Sequence, residues 1–332
     1  MDSASRTVKL VQGSTCFLPT PPFQASQHYA QLHGYDLTVP SGVGIGNVLA
    51  FTRLVDDYSH AIGRRLRLLT GPIHPAIGVV EDEEPYPAWT NNPHVKEIGN
   101  ADEIDPAIMK AANAEMDNCC QYSHVIENIC SEYGLRPRFL RASIHLSPQE
   151  MAWALDALEK YPRPVIALHP YSTSAPREGH PWHRARWLQL VEHLSERGTV
   201  LEIHKHGSDD RRLPTVRIPT TLRQMFALIW ASDVFVGLDS SPSHVATAFS
   251  KPAVVLWEPL QKLHAEEGFQ AGFAPAVLMR WGYPQNRNLF LLGERGNEVI
   301  DQVLDFVDST LSSLRIKVKR RSAPIAHHDG TP

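Results

Sequence analysis

The sequence predicts an α/β fold made of two domains, each a parallel sheet flanked by helices. In the first half, a strand at 36–40, a glycine-rich turn at 41–47, a helix at 48–62 and a strand at 65–71 form a β-α-β unit with parallel strands. In the second half, apolar strands alternate regularly with amphipathic helices, which is typical of a Rossmann-like doubly wound sheet. The 332 residues suffice for two domains, each with its own core.

Pro162 and Pro164 mark the predicted domain boundary. We predict an N-terminal domain over residues 1–160 and a C-terminal domain over 161–315, followed by a basic, disordered tail at 316–332.

Apolar spacing places the remaining elements. In the N-terminal domain we predict strands at 8–13 and 95–99 and a helix around 118–133. In the C-terminal domain, Thr220 or Thr221 is the expected N-cap of one helix, and the last helix is expected to end near Leu314. The C-terminal strands and helices before that last helix are predicted, in order, at 165–170, 184–197, 199–204, 220–232, 233–239, 242–250 and 253–258.

Composition and charge exclude several classes of protein. The formal net charge is -4, with 32 basic and 36 acidic residues, which does not suggest nucleic-acid binding. No apolar run approaches the roughly twenty residues of a membrane helix, and the polar start is unlike a signal peptide, although peripheral membrane association stays open. The four cysteines lack zinc-site spacing, and adjacent Cys119 and Cys120 fit a structural disulfide poorly, so we expect reduced thiols and a cytoplasmic location.

The strongest motif is GLDSSPSHVATAFSKPAVVLWEP at 237–259. A strand is expected to end at Asp239, and the chain turns through Ser240 and Ser241. Pro242 is then expected at the first position of the next helix, where its missing N–H costs nothing.

This helix start predicts an anion site. The free backbone amides of Ser243 and His244 would lie at the carboxyl end of a parallel strand, where such sheets bind ligands. A capped helix without any ligand explains the same residues. A carboxylate is unhelpful beside phosphate, so we expect Asp239 to fix the turn or to bind ribose or sugar hydroxyls.

A second motif follows the first strand of this half, at 169–187. Short hydroxyl side chains, which donate hydrogen bonds, lie together with cationic side chains ahead of a helix, as a diphosphate site needs. The alternative is a polar surface loop over Trp182 and Trp187. The donors and cations are Ser172, Thr173, Ser174, Arg177, His180, His183 and Arg184.

The glycine-rich turn at 41–47 resembles a dinucleotide fingerprint, but the third glycine falls at Asn47 and the next strand does not end in an acidic residue, so we reject an NAD site. Gly42, Gly44 and Gly46 still allow the backbone to approach a ligand closely between the two halves. Asn47 is interpreted mainly as a helix N-cap.

Other polar residues do not define a metal or cofactor site. His204 and His206 follow a strand, but no third ligand is found, so no metal and no cofactor is expected. Asp209 or Asp210 either binds a ribose or is a solvated loop residue.

The motifs at 41–55, 92–99, 167–194 and 236–259 resemble, in this order, the heptosyltransferase family of GT-B glycosyltransferases, which transfer heptose from ADP-heptose, usually onto lipopolysaccharide. The resemblance covers roughly residues 36–315. It implies two Rossmann-like doubly wound domains facing across a cleft, donor binding by the C-terminal domain, and inversion by direct displacement without an obligatory metal.

By position, the resemblance assigns donor binding to the two C-terminal motifs. The family's phosphate-binding lysine falls at His180, so Arg177 or Arg184 is expected to substitute, and Tyr171 and Glu258 replace residues that are usually glycine. The donor-binding residues that follow are Ser172, Thr173, Arg177, His180, Asp239, Ser240, Ser241, Ser243 and His244.

The catalytic base is where the chain departs most from this family. The position of the family's catalytic aspartate is Asn47, and an amide cannot accept a proton at neutral pH. Substitutes from the N-terminal half are His124 and Asp117.

We therefore predict an inverting glycosyltransferase that moves a heptose-like sugar from a nucleoside-diphosphate sugar, with ADP-heptose as one candidate, to an unidentified hydroxyl acceptor. One alternative is a non-catalytic nucleotide-sugar-binding protein or partner subunit that lost the base. Another is a nucleotide-sugar epimerase on the same architecture.

Overall fold

The computed structural model describes residues 7–9, 15–17, 24–40, 44–72, 84–104, 123–171, 184–203, 213–257, 280–291 and 296–322. The elements of the N-terminal half are β1 (Thr7–Lys9), β2 (Thr15–Phe17), α1 (Gln24–Leu32), β3 (Leu37–Thr38), α2 (Ile45–Ile62), β4 (Leu66–Thr70), β5 (Val95–Asn100), α3 (Ala101–Ile104), α4 (Val125–Glu132) and α5 (Pro148–Glu159). Those of the C-terminal half are β6 (Val165–His169), α6 (Arg184–Ser195), β7 (Thr199–Glu202), α7 (Leu222–Ala231), β8 (Val234–Leu238), α8 (Ser241–Ala248), β9 (Ala253–Trp257), β10 (Arg287–Phe290) and α9 (Gly296–Ser322).

The N-terminal half contains a parallel sheet in the order β3-β4-β5. Helix α2 connects β3 to β4, which confirms the predicted β-α-β unit. Its apolar face is buried through Val48, Phe51 and Val55, and it ends at Gly63, whose φ of 69° is left-handed as expected of a helix-terminating glycine. Strand β1 overlaps the predicted strand at 8–13 and pairs antiparallel with β2.

The C-terminal half contains a parallel sheet in the order β10-β9-β8-β6-β7. Strands β6, β8 and β9 are buried along their whole length, because helices cover both faces of a doubly wound sheet. The chain moves outward from β6 to β7 and then returns to β8, so the strand order reverses between β6 and β8. Ligands bind such sheets beyond the carboxyl ends of the strands at this reversal, and Asp239 directly follows β8.

The two halves share a hydrophobic core. Phe51 and Leu54 of α2 belong to the same buried cluster as Val245 and Ala246 of α8. Helices α2 and α8 therefore pack against each other at the domain boundary.

An ion pair between a buried arginine and a half-buried glutamate adds a second connection between the halves. Arg223 of α7 donates hydrogen bonds of 2.6 and 2.8 Å to the carboxylate of Glu150 on α5. It also donates to the carbonyls of Pro87 at 2.9 Å and His145 at 2.7 Å. Thr221, one of the two predicted residues, is the N-cap of α7.

The predicted end of the last helix near Leu314 is wrong, because α9 continues to Ser322. Residues 316–322 of the predicted disordered tail are therefore helical. Among the described helices, none combines the length and the apolar character needed to cross a membrane.

Candidate functional site

The first turns of α2 and α8 meet across the domain boundary. A Cβ atom built on Gly46 would lie 2.9 Å from Cδ2 and 3.1 Å from Nε2 of His244, and 3.8 Å from the Cα atom of Ser241. The sequence predicted close backbone approach at this glycine, but the described group that approaches it is the His244 ring. Since a helix N-terminus carries a partial positive charge, two such ends in contact create a corner that favours an anion.

The start of α8 is a tight serine turn. Ser240 is the N-cap, Ser241 is the first helical residue and Pro242 the second, so Pro242 lies one position later than predicted. The amide of Ser243 donates to the Ser240 carbonyl at 3.0 Å, and its hydroxyl donates to the same oxygen at 2.7 Å. The predicted free amide of Ser243 is therefore wrong, because the turn itself uses it, and Ser243 is only 2% exposed.

Ser240 and Ser241 are the half-buried hydroxyl residues of this turn. The Ser240 hydroxyl donates to the Leu238 carbonyl at 3.2 Å. Of the predicted hydroxyl residues in this motif, these two remain accessible to a ligand.

His244 is buried against two aromatic rings that sequence reasoning missed. Its Nδ1 atom lies 2.9 Å from the hydroxyl of Tyr283, and the ring packs edge-on against Tyr283 and Trp281. Burial lowers the pKa of His244 to about 4, so the ring is neutral at pH 7. Burial and the charge of Asp239 hold the pKa of Tyr283 well above its ordinary value, so the phenol stays protonated.

Asp239 is a desolvated carboxyl at the carboxyl end of β8. Burial raises its pKa from 3.8 to about 7, although part of the side chain remains accessible. Among the described residues, no cation or hydrogen-bond donor compensates the carboxylate. The site therefore contains an acid whose charge changes near neutral pH.

His124, a predicted substitute for the base, lies beside this group as the N-cap of α4. Its Nδ1 atom accepts a hydrogen bond from the Ile126 amide at 3.2 Å, and its ring lies 4.9 Å from that of Tyr283. Nε2 is buried near the Trp281 backbone without reaching hydrogen-bond geometry. Burial lowers the pKa of His124 to about 3, so it is a poor proton acceptor at pH 7. Asp117 lies outside the described residues.

Asn47 is not the helix N-cap that the sequence predicted. The N-cap of α2 is Gly44, and Asn47 is the third residue of the helix, where its amide donates to the Gly44 carbonyl at 2.9 Å. Its half-buried side chain belongs to the turn that contains Gly46. The predicted capping role is wrong because the helix begins earlier, at Ile45. A Cβ atom on Gly44 would meet nothing within 4 Å.

Arg184, a predicted phosphate-binding cation, is the exposed first residue of α6. The remaining predicted site residues lie outside the described residues. They are Gly42, Ser172, Thr173, Ser174, Arg177, His180 and His183, together with His204, His206, Asp209 and Asp210. In the part of the chain that is described, no cluster of three or more His, Cys, Asp or Glu side chains has metal-binding geometry.

The sequence profile of glycosyltransferase family 9 (heptosyltransferase) matches residues 133–266. This stretch begins before α5 and ends after β9, so it includes Asp239 and the serine turn. A comparison with curated protein sequences finds no match.

Solved structures share the overall fold. ADP-heptose LPS heptosyltransferase II of E. coli is 13% identical with a TM-score of 0.55, over 84% of this chain and 99% of that chain. A family 9 glycosyl transferase from Veillonella parvula is 11% identical with a TM-score of 0.58, over 83% and 97% of the two chains. E. coli heptosyltransferase WaaC with ADP is 13% identical with a TM-score of 0.50, over 82% and 99%.

These likenesses show the fold, which is GT-B with two Rossmann-like domains, as predicted. With the family profile on the segment that carries the site, the chain is a heptosyltransferase-like glycosyltransferase.

Proposed function

We propose that this protein is an inverting transferase that moves a heptose-like sugar from a nucleoside-diphosphate sugar to a hydroxyl acceptor. The observation that carries the proposal is the contact between the starts of α2 and α8 at Gly46 and His244. A diphosphate in this corner would face the positive ends of both helices and the hydroxyls of Ser240 and Ser241. The WaaC structure contains ADP, which supports an adenine nucleotide as the first donor to test.

The leaving nucleoside diphosphate gains charge as the glycosidic bond breaks. Hydrogen-bond donors that are already oriented towards that charge stabilise the transition state. This stabilisation is usually the largest electrostatic contribution to such a reaction. The two helix starts are held by a shared hydrophobic core, so they need little reorganisation. We propose that transfer needs no metal. Backbone amides, hydroxyl groups and the cations predicted at Arg177 and His180 compensate the negative charge of the leaving diphosphate instead.

The proton acceptor is the least conventional part of the proposed mechanism. Asn47 cannot accept a proton, and burial lowers the pKa of both His124 and His244 far below 7. Among the described residues of the site, Asp239 is the group whose pKa, about 7, suits a general base. Binding of sugar or ribose hydroxyls by Asp239 remains the alternative role.

A non-catalytic nucleotide-sugar binder is the second candidate function. Two observations favour it: Asn47 lacks basicity, and His124 has its Nδ1 atom engaged by a backbone amide. Product analysis distinguishes the two candidates, because only the transferase releases nucleoside diphosphate and glycosylated acceptor.

The donor site is tested by adding a negative charge at each of two helix starts. Ser241→Glu places a carboxylate on the first residue of α8, where it favours the helix but repels a diphosphate. Gln149→Glu places the same charge in the first turn of α5, which is exposed and carries no predicted ligand. Ser241→Gln controls for side-chain size.

We expect ADP, measured by calorimetry, to bind at least about tenfold more weakly to Ser241→Glu, with the other two variants close to wild type. Equal ADP affinity in both Glu variants would contradict the donor site. Before calorimetry, thermal shift with sugar nucleotides selects the donor, since a ligand at a hundred times its Kd stabilises by about 2.7 kcal/mol.

A further inference from the structure

Tyr283 lies outside every motif that the sequence analysis identified, yet the fold fixes it beside His244. Its carbonyl accepts hydrogen bonds from the Asn286 amide at 3.1 Å and from the Asn288 side chain at 3.1 Å. The Asn286 side chain in turn donates to Thr247 of α8 at 2.8 Å. This segment is therefore attached to the helix that carries His244, and the tyrosine is only 2% exposed.

We propose that Tyr283 is a positioning residue that holds His244 in the tautomer with its proton on Nε2, so that the ring donates a hydrogen bond to the diphosphate of the donor. This inference rests on the proposed function. In this role the hydroxyl of Tyr283 acts on the donor site through His244 and does not itself contact the ligand.

The first argument is hydrogen-bond satisfaction. The hydroxyl of Tyr283 is buried, and its hydrogen-bond partner among the described residues is Nδ1 of His244. If Nδ1 carried the proton, it would donate to the phenol oxygen and leave the phenol O–H buried without an acceptor, which is costly. If Nε2 carries the proton, the phenol O–H donates to Nδ1 and both groups are satisfied.

The second argument is direction. A Cβ atom on Gly46 would lie 3.1 Å from Nε2, so this edge of the ring faces the first turn of α2. The proton on Nε2 is thus presented where the two helix starts meet. In the other tautomer, the Nε2 lone pair would face the bound anion and repel it.

The third argument is charge. Because burial lowers the pKa of His244 to about 4, the ring is neutral near pH 7 and its two tautomers compete. A neutral imidazole donates from one nitrogen only, so the partner of the other nitrogen decides which edge donates. Tyr283 is that partner.

The test replaces only the phenol hydroxyl. In Tyr283→Phe, side-chain NMR of protein labelled with ¹⁵N-histidine reports the tautomer of His244, whose signals are assigned by their loss in His244→Gln. Tyr161→Phe is the matched control, since this half-buried tyrosine follows α5 and its ring lies beside Lys160 at 5.2 Å. ADP affinity is measured on the same samples.

We expect the Nε2–H form of His244 in wild type and in Tyr161→Phe, and a mixture of tautomers in Tyr283→Phe with about fivefold weaker ADP binding. An Nδ1–H form in wild type would overturn the proposal even if Tyr283→Phe fails to fold, and so would an unchanged tautomer in that variant. If wild type shows the Nε2–H form but binds neither ADP nor any sugar nucleotide of the thermal-shift panel, the proposed function fails, and with it the role assigned to this tautomer.

Discussion

Neutralising Asp239 should stabilise the protein, and the gain should depend on pH. The carboxyl has a pKa of about 7 in the folded protein against 3.8 ordinarily, because burial disfavours its charge. The folded state therefore holds the proton more tightly than the unfolded state. The contribution of the neutral carboxyl to the free energy of unfolding is fully present below about pH 4. It is lost as the pH rises towards 7, where the cost of the buried charge becomes complete.

The size of the penalty follows from the shift. Three pKa units correspond to about 4 kcal/mol at about 1.4 kcal/mol per unit, which is an upper bound because water reaches part of the carboxylate. We expect roughly 1 to 3 kcal/mol above pH 7. Asparagine keeps the shape without the charge, so Asp239→Asn should raise Tm at pH 8.5 by about 2 to 10 °C relative to its effect at low pH.

The assay compares Tm of wild type and Asp239→Asn between pH 5.5 and pH 8.5. Because the unfolded carboxyl is already ionised at pH 5.5, this window contains about half of the penalty, so we expect the Tm difference to grow by about 1 to 5 °C across it. The amide of asparagine has its own desolvation cost, but this cost is the same at every pH, so the change in the Tm difference isolates the charge. Asp301→Asn, on the exposed side of α9, is the control and should show a constant difference. A constant difference for Asp239→Asn as well, or one that shrinks with rising pH, would refute the reasoning.

Two further predictions concern the helices at the domain boundary and the C-terminus. Gly46→Ala places a methyl group 2.9 Å from Cδ2 of the buried His244 ring, so the domain contact must shift. We expect the free energy of unfolding, measured with denaturant, to fall by roughly 1 to 3 kcal/mol, and ADP to bind more weakly by calorimetry. Unchanged values for both would exclude a tight contact. A chain that ends at Leu314 keeps the buried face of α9, including Val303 and Val307, so we expect its Tm to lie within about 2 °C of the Tm of the full chain. A larger drop in Tm would show that later residues pack on the fold.

The sheets were the most predictable part of the fold. Strands β6, β8 and β9 are short apolar runs that are buried on both faces, so local sequence and tertiary environment favour the same structure. The helix that follows β8 was predicted for the same reason, because Ser240 and Pro242 suit a helix start wherever the helix packs.

Details set by contacts between distant segments were not predictable in the same way. A long stretch separates Tyr283 from β9, and no periodicity or motif marks it. Contacts between distant segments bring it to His244, among them the parallel pairing of β10 with β9 and the hydrogen bond from Asn286 to Thr247. The end of α9 was misplaced because the apolar pattern stops near Leu314 although the helix does not.

The start of α2 shows how a tertiary contact overrides a local preference. Asparagine is a strong N-cap and glycine inside a helix costs up to about 1 kcal/mol, so local chemistry favours a helix that begins after Asn47. Instead the helix begins at Ile45 and takes Gly46 into its first turn. Only a residue without a Cβ atom fits there, because His244 of the other half occupies that space. The position that looks least suited to a helix is thus the one that lets two helix starts, each with a partial positive charge, lie against each other. Such a contact between like charges is unfavourable by itself, and an anion bound between the two helix starts would offset it.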